Sequence, residues 1–123
     1  MNVMEVLQSK LQEEVESLQG LQKQQAKAVS TRQTLDSQLS ENQMVADEMA
    51  RLKDSDRVFK LIGPAMVRQD VGEAKANVDK RIKYIGEELK RTDGVIKGLE
   101  KKQEEHRDNL NNMQAQMQKL AQA

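Results

Sequence analysis

Apolar residues recur at alternating steps of four and three along almost the whole second half of the sequence. Ten of the thirteen positions that these steps reach from Val78 are apolar. The positions are Val78, Ile82, Ile85, Leu89, Thr92, Ile96, Leu99, Gln103, His106, Leu110, Met113, Met117 and Leu120. A spacing of this kind, sustained over six heptads, predicts a coiled-coil seam along one long helix.

The first half repeats the pattern with more polar members. Its seam positions are Met4, Leu7, Leu11, Glu14, Leu18, Leu21, Gln25, Ala28, Arg32, Leu35, Leu39, Asn42, Ala46 and Met49. Helices over residues 2–53 and 71–121 would have nearly equal length, so we expect an antiparallel pair that folds back on itself. Pairing residues whose numbers sum to 124 sets an a position opposite a d position in every layer. A register one heptad away, with a sum of 131, stays open.

A β-hairpin is predicted between the two helices, over residues 57–70. The segment reads RVFKLIGPAMVRQD and is rich in side chains that favour strands. Gly63 and Pro64 suit the two central positions of a type II′ turn, because Gly accepts a positive φ and Pro a negative one. This turn sets Ile62 opposite Ala65 and Leu61 opposite Met66. The segment DVGE from Asp70 then predicts a capped start of the second helix.

Both faces of the predicted hairpin carry apolar side chains, and its two edges leave backbone groups unpaired. A lone two-stranded hairpin is marginally stable in water, and an open edge invites pairing with another chain. We therefore expect hairpins of several chains to close into an intermolecular β-barrel. The side chains assigned to this assembly are Val58, Phe59, Leu61, Ile62, Met66 and Val67. A hairpin capped within a monomer is the alternative.

The two ends of the chain form a second candidate surface. In the antiparallel pair both ends lie together, and they hold four of the seven methionines. Flexible apolar side chains of this kind suit adaptable, unselective binding. The residues assigned to this surface are Met1, Val3, Met4, Val6, Leu7, Leu11, Leu110, Met113, Met117 and Leu120. Ordinary seam packing with frayed ends is the alternative.

Composition excludes several other classes of function. Twenty basic and twenty acidic residues balance, so the basic footprint of a nucleic-acid binder is missing. There is no cysteine, no secretory signal and no apolar run long enough to span a membrane. His106, the single histidine, falls on the seam, where we expect packing instead of metal binding or catalysis. We expect neither an enzyme nor a cofactor.

Two motifs, VFKLIGPAMV and QDVGEA, stand out in the central part of the sequence. The segment Arg57 to Ile85 that contains them closely resembles the central part of β-class prefoldin subunits. The resemblance implies one prefoldin-type domain over residues 1–123, with long antiparallel helices and a hairpin at the bend. It also implies that the hairpins of a hexamer assemble into β-barrels.

The resemblance further implies a cytoplasmic, ATP-independent co-chaperone of two α-class and four β-class subunits. This chain would then have two α-class and three further β-class partners. Such a complex would hold unfolded actin and tubulin at the coiled-coil tips and deliver them to the cytosolic group II chaperonin. No nucleic acid, membrane, metal or cofactor is implied. A coiled-coil spacer or tether without clients is the alternative function.

Overall fold

The chain forms two long helices joined by a two-stranded antiparallel hairpin. The structure, a computed structural model, describes residues 2–122. Helix α1 spans Val3–Ala50, strands β1 and β2 span Val58–Ile62 and Ala65–Gln69, and helix α2 spans Val71–Gln122. This element order confirms the predicted fold of the single chain. Closure of several hairpins into a barrel involves other chains and stays a prediction.

Helix α1 ends at Ala50, three residues earlier than the sequence predicts. The N–H of Lys53 donates to Asp56 Oδ2 at 2.6 Å, which removes it from the helical hydrogen-bond ladder. The two preceding N–H groups, of Arg51 and Leu52, already bond to carbonyls three residues back. The last turn therefore tightens and stops before the predicted boundary.

The hairpin has the predicted register. Ile62 pairs with Ala65, Leu61 pairs with Met66, and three further pairs continue to the base of the hairpin. Gly63 has a φ of 57°, in the region that glycine occupies without the steric cost that a Cβ brings. The turn residues thus fix which side chains share a face, as expected from a two-residue connection.

Helix α2 begins directly after a capping aspartate. Asp70 Oδ2 accepts a hydrogen bond from the N–H of Glu73 at 3.1 Å, which confirms the predicted N-cap. A Cβ on Gly72 would lie 3.0 Å from the same oxygen, so glycine leaves room for the cap. Val71, Ala74 and Val78, which lie just beyond it, are three of the five buried apolar residues in the described chain.

Packing divides the chain into two units. The terminal unit comprises Met1–Thr31 and Thr92–Ala123, and the hairpin unit comprises Arg32–Arg91. In both units the protected side chains follow the predicted seam. Every seam position from Met4 to Met49 is half-buried, and every one from Val78 to Met117 is buried or half-buried. Leu120 departs from this pattern and is exposed, because only the first turn of α1 is available to face the last turn of α2.

Polar side chains meet across the seam of the terminal unit. Gln103, only 2% exposed, donates from Nε2 to Gln25 Oε1 at 2.5 Å. His106 Nδ1 hydrogen-bonds Glu14 Oε2, and Asn109 Nδ2 donates to the other oxygen of the same carboxylate at 3.4 Å. Three contacts therefore join α1 and α2 at two levels of the terminal unit.

The contact between Glu14 and His106 decides the register. In the predicted register His106 faces Leu18, one helical turn from Glu14. In the register one heptad away it would face Gln25, about three turns from Glu14. The observed contact fits the predicted register and excludes the shifted one.

Engineered cysteines should report this register, since the natural chain has no cysteine. We expect Leu11→Cys with Met113→Cys to form an intrachain disulfide on mild oxidation, detected by peptide mass mapping. Leu11→Cys with Leu120→Cys, the pair that the shifted register would bring together, is the matched control. Efficient closure of the control pair alone would contradict the assigned register.

Replacing the seam contact by an apolar pair should stabilise the helices. We expect Glu14→Leu with His106→Leu to raise the free energy of unfolding by about 1 to 2 kcal/mol, because apolar packing replaces half-buried polar groups. Glu14→Leu alone should lower it, since the His106 side chain, 30% exposed, loses its acceptor. Urea unfolding followed by circular dichroism measures both. A double variant less stable than either single variant would contradict this account.

Candidate interaction surfaces

The hairpin presents apolar side chains to solvent on both faces. Leu61 and Met66, which pair across the strands, are 71% and 69% exposed on one face. Ile62 and Val67 are exposed on the other face. Large apolar side chains gathered in this way on a small element are typical of an interaction surface.

Backbone N–H and C=O groups at the edges of the hairpin are also available for pairing. The described chain holds one sheet of two strands, so each strand has a neighbour on one side only. In an antiparallel pair, alternate residues direct their N–H and C=O groups away from the partner strand. Those outward groups can pair with a strand of another chain. Side chains and backbone therefore point to the same use.

The predicted assembly residues separate by exposure. Val58 lies at the base of the hairpin and is half-buried. The remaining five are exposed: Phe59, Leu61, Ile62, Met66 and Val67. The structure thus brings the six together on one small element and leaves all but the basal one open to solvent.

A second apolar surface lies in the terminal unit. Val3 is 64% exposed and Leu120 is 43% exposed. Together with Leu7, Gln116 and Lys119 they line an open groove where the first turn of α1 meets the last turns of α2. Val6 is also exposed. This groove offers a small apolar contact area with a polar rim.

The other residues predicted for this surface take part in the seam. Six of them are half-buried between the two helices: Met4, Leu7, Leu11, Leu110, Met113 and Met117. Met1 lies outside the described residues. The predicted set therefore consists of an exposed group and a seam group, and the seam group is partly open because two helices cover only one stripe of each other.

Burial decreases along α2 toward its C-terminal end. Gln103 is the last buried residue of the described part of α2. The seam residues beyond it are half-buried as far as Met117, and Leu120 is exposed. Helix α1 has no buried residue in its described length. Sparse burial is the feature that allows a region to open locally at low free-energy cost. The methionine-rich seam therefore lies in the least protected part of the helix pair.

Sequence reasoning missed several exposed apolar side chains away from both surfaces. Met44 is 66% exposed on α1, and Tyr84 and Val95 are exposed on α2. All three occupy positions off the seam, which is the signal that could have identified them. Tyr84 borders an open groove with Lys80 and Arg81, and single exposed apolar residues of this kind are common on protein surfaces.

The described residues offer no cluster suited to metal binding. Among residues 2–122, no group of three or more His, Cys, Asp or Glu side chains is arranged to hold a metal ion. His106 lies on the seam, as its heptad position predicts, and hydrogen-bonds Glu14 there. The described helices include none with the length and apolar character that a bilayer span requires.

Comparison with known proteins agrees with this architecture. A family model described as "Prefoldin subunit" matches residues 12–117. Prefoldin subunit 6 of Mus musculus is 47% identical over 115 residues, which cover 94% of this chain and 91% of the mouse protein. Prefoldin subunit 6 of Arabidopsis thaliana is 40% identical over 114 residues, covering 93% of this chain and 88% of the plant protein.

A solved structure shows the same fold. The crystal structure of the prefoldin beta subunit from Thermococcus strain KS-1 superposes with a TM-score of 0.60. It is 23% identical, and the match covers 90% of this chain and 91% of the archaeal chain. The family model and the relatives match nearly the whole chain, so they show family membership as well as a shared fold. The chain therefore belongs to the prefoldin family, a family of non-enzymatic chaperone subunits that assemble with one another.

Proposed function

We propose that this chain is one subunit of a cytoplasmic hexamer that holds unfolded proteins without using ATP. Two α-class and three further β-class subunits would complete the complex. Its clients would include actin and tubulin, which it would pass to the cytosolic group II chaperonin. The chain itself would have no enzymatic activity and need no cofactor. The observation that carries the proposal is that apolar surface stays uncovered at the hairpin and in the terminal unit.

The hairpin would serve assembly. Its two apolar faces cannot both be covered by the short strands themselves, and its outward backbone groups remain available for pairing. Strands from neighbouring subunits would pair with these edges, and barrel closure would bury one face inside. Two exposed side chains, Leu61 and Met66, lie on the same face and would enter the same layer.

The terminal unit would hold clients. The groove around Val3 and Leu120 offers apolar area already in the described structure. The half-buried methionines Met4, Met113 and Met117 would add area as the seam loosens, and methionine adapts its shape to varied partners. Adaptable apolar contacts of this kind would accept unfolded chains of unrelated sequence.

Holding and release of a client would depend on how many terminal units contact it. Each terminal unit would bind weakly, and several units of one complex acting on one client would raise the effective affinity. A client covered in this way cannot expose the same apolar surface to another client, so aggregation slows. Because each single contact is weak, a chaperonin that competes for the same client surface could displace them in turn without ATP.

The hairpin assignment predicts a loss of assembly from a two-residue change. We expect Leu61→Ser with Met66→Ser to prevent the tagged chain from co-purifying with other prefoldin subunits, because the change removes about 2 to 5 kcal/mol of apolar burial at the interface. Native mass spectrometry of the purified material measures the assembly. Circular dichroism should show unchanged helix content.

Lys60→Ser on the same hairpin is the matched control. It changes an exposed polar side chain and should leave assembly intact. Full assembly of the Leu61 and Met66 double variant would contradict the role of the hairpin.

Client binding by the terminal unit predicts a variant that loses client capture but keeps assembly. We expect the serine variant of Val3, Met4, Leu7, Met113 and Met117 to assemble normally and to suppress aggregation of denatured actin at least several-fold less well. The reason is that the removed side chains carry most of the apolar area proposed to contact the client. Light scattering during dilution of the denatured client measures the effect.

A variant that removes exposed apolar side chains elsewhere controls for general loss of hydrophobicity. Met44→Ser with Val95→Ser changes two exposed positions off the seam. It should suppress aggregation as well as the natural chain does. Equal suppression by the terminal-unit variant would contradict client binding at this surface.

A further inference from the structure

The hairpin is held only at its base. Along both strands only Val58 and Gln69, which pair with each other, are half-buried, and the other residues of the strands are exposed. A hairpin without a packed face takes its direction from the two segments that attach it to the helices. The geometry of those attachments therefore decides where its edges point.

The attachment on the β2 side is short and stiff. Asp70 alone separates the end of β2 from the start of α2. Its carboxylate caps the helix through the N–H of Glu73, and Val71, next in the chain, is buried. The cap and the buried valine together fix the direction in which β2 leaves α2.

The attachment on the β1 side is longer and relies on hydrogen bonds. Residues 51–57 join α1 to β1. Asp56 closes a turn in this segment, because its carboxylate accepts from the N–H of Lys53 at 2.6 Å and its own N–H donates to the Lys53 carbonyl at 2.9 Å. The turn is exposed, so these bonds compete with water and contribute little on their own to the position of the segment.

Lys75 of α2 ties the β1 attachment to its own helix. Its Nζ donates to the carbonyl oxygen of Leu52 at 3.4 Å, just after the end of α1. The last turn of α1 contains no basic residue, and a cation near this negative end of the helix dipole is favourable. The Lys75 side chain is half-buried and borders a groove with Met49 and Val78. One ammonium group thus fastens the β1 attachment to the helix that already holds β2.

We propose that Lys75 is a positioning residue for assembly. By holding the carbonyl of Leu52, it keeps both hairpin attachments at one spacing and so aims the strand edges for pairing with other subunits. The inference rests on the proposed use of the hairpin in assembly. It assigns a role to a residue of α2, outside the hairpin strands.

The test is a competition for the subunits that co-purify with the natural chain. Isotope-labelled Lys75→Met, which keeps an unbranched chain of good helix propensity, competes with the natural chain for those subunits. Native mass spectrometry counts the two forms in the assembled complex. We expect the variant to compete about tenfold less well, because a hydrogen bond to a charged group is lost. Lys75→Arg, which can reach the same carbonyl, should restore most of the competition.

Two further readouts separate positioning from general destabilisation. Hydrogen exchange of the isolated chain should be faster at residues 51–57 in Lys75→Met, whereas the helix content should match the natural chain. Lys83→Met, which changes an exposed lysine about two turns along the same helix, should compete normally. Equal loss in Lys75→Met and Lys83→Met would overturn the inference.

An independent variant covers the case in which Lys75→Met fails to fold. Asp56→Ala removes the carboxylate that closes the turn with Lys53, changes no residue of either helix, and should also lower competition. The positioning role alone would be overturned if Lys75→Met competes normally while the Leu61 and Met66 double variant fails. If Lys75→Met does not fold, normal competition by Asp56→Ala would overturn it in the same way. Normal competition by that double variant would instead contradict the proposed function.

Discussion

Two helices packed side by side can bury only one stripe of each other, and the rest of this molecule depends on that limit. The stripe is filled by residues at heptad spacing, yet α1 has no buried residue in its described length. The deepest apolar packing lies at the start of α2, around Val71, Ala74 and Val78. Apolar side chains outside these places stay in contact with solvent, so the chain leaves apolar surface that other proteins can cover.

The uncovered surface is placed in two chemically different settings. In the hairpin unit it accompanies unpaired backbone groups, which demand strict geometry from a partner strand. In the terminal unit it consists of exposed Val3, Val6 and Leu120 beside half-buried methionines, which demand little geometry. The first setting suits permanent assembly with defined subunits, and the second suits transient contact with varied chains.

Much of this could be predicted from the sequence, because its signals are local or periodic. Heptad spacing identified the seam from Met4 to Met113, and the turn residues Gly63 and Pro64 fixed the hairpin register. The remainder depends on contacts between residues far apart in the chain. No pattern in the sequence predicts the hydrogen bond between the side chains of Gln25 and Gln103.

The end of α1 shows the same limit on a smaller scale. Heptad spacing carried the predicted helix to residue 53, whereas capture of the Lys53 N–H by Asp56 ends it earlier. The tie from Lys75 to Leu52 requires both helices to be in place before it can form. For the terminal surface, sequence named the residues but not the division between exposed Val3 and half-buried Met4. That division depends on which side of the helix the partner covers.

The central claim is that the hairpin is completed by other subunits, and the native mass of the assembly tests it most directly. The tagged chain would be purified under non-denaturing conditions from the cells that produce it, and the intact complex weighed by native mass spectrometry. We expect a six-subunit complex of different small coiled-coil chains. A monomer or a homodimer would contradict it, because the hairpin would then be satisfied within one or two copies of this chain.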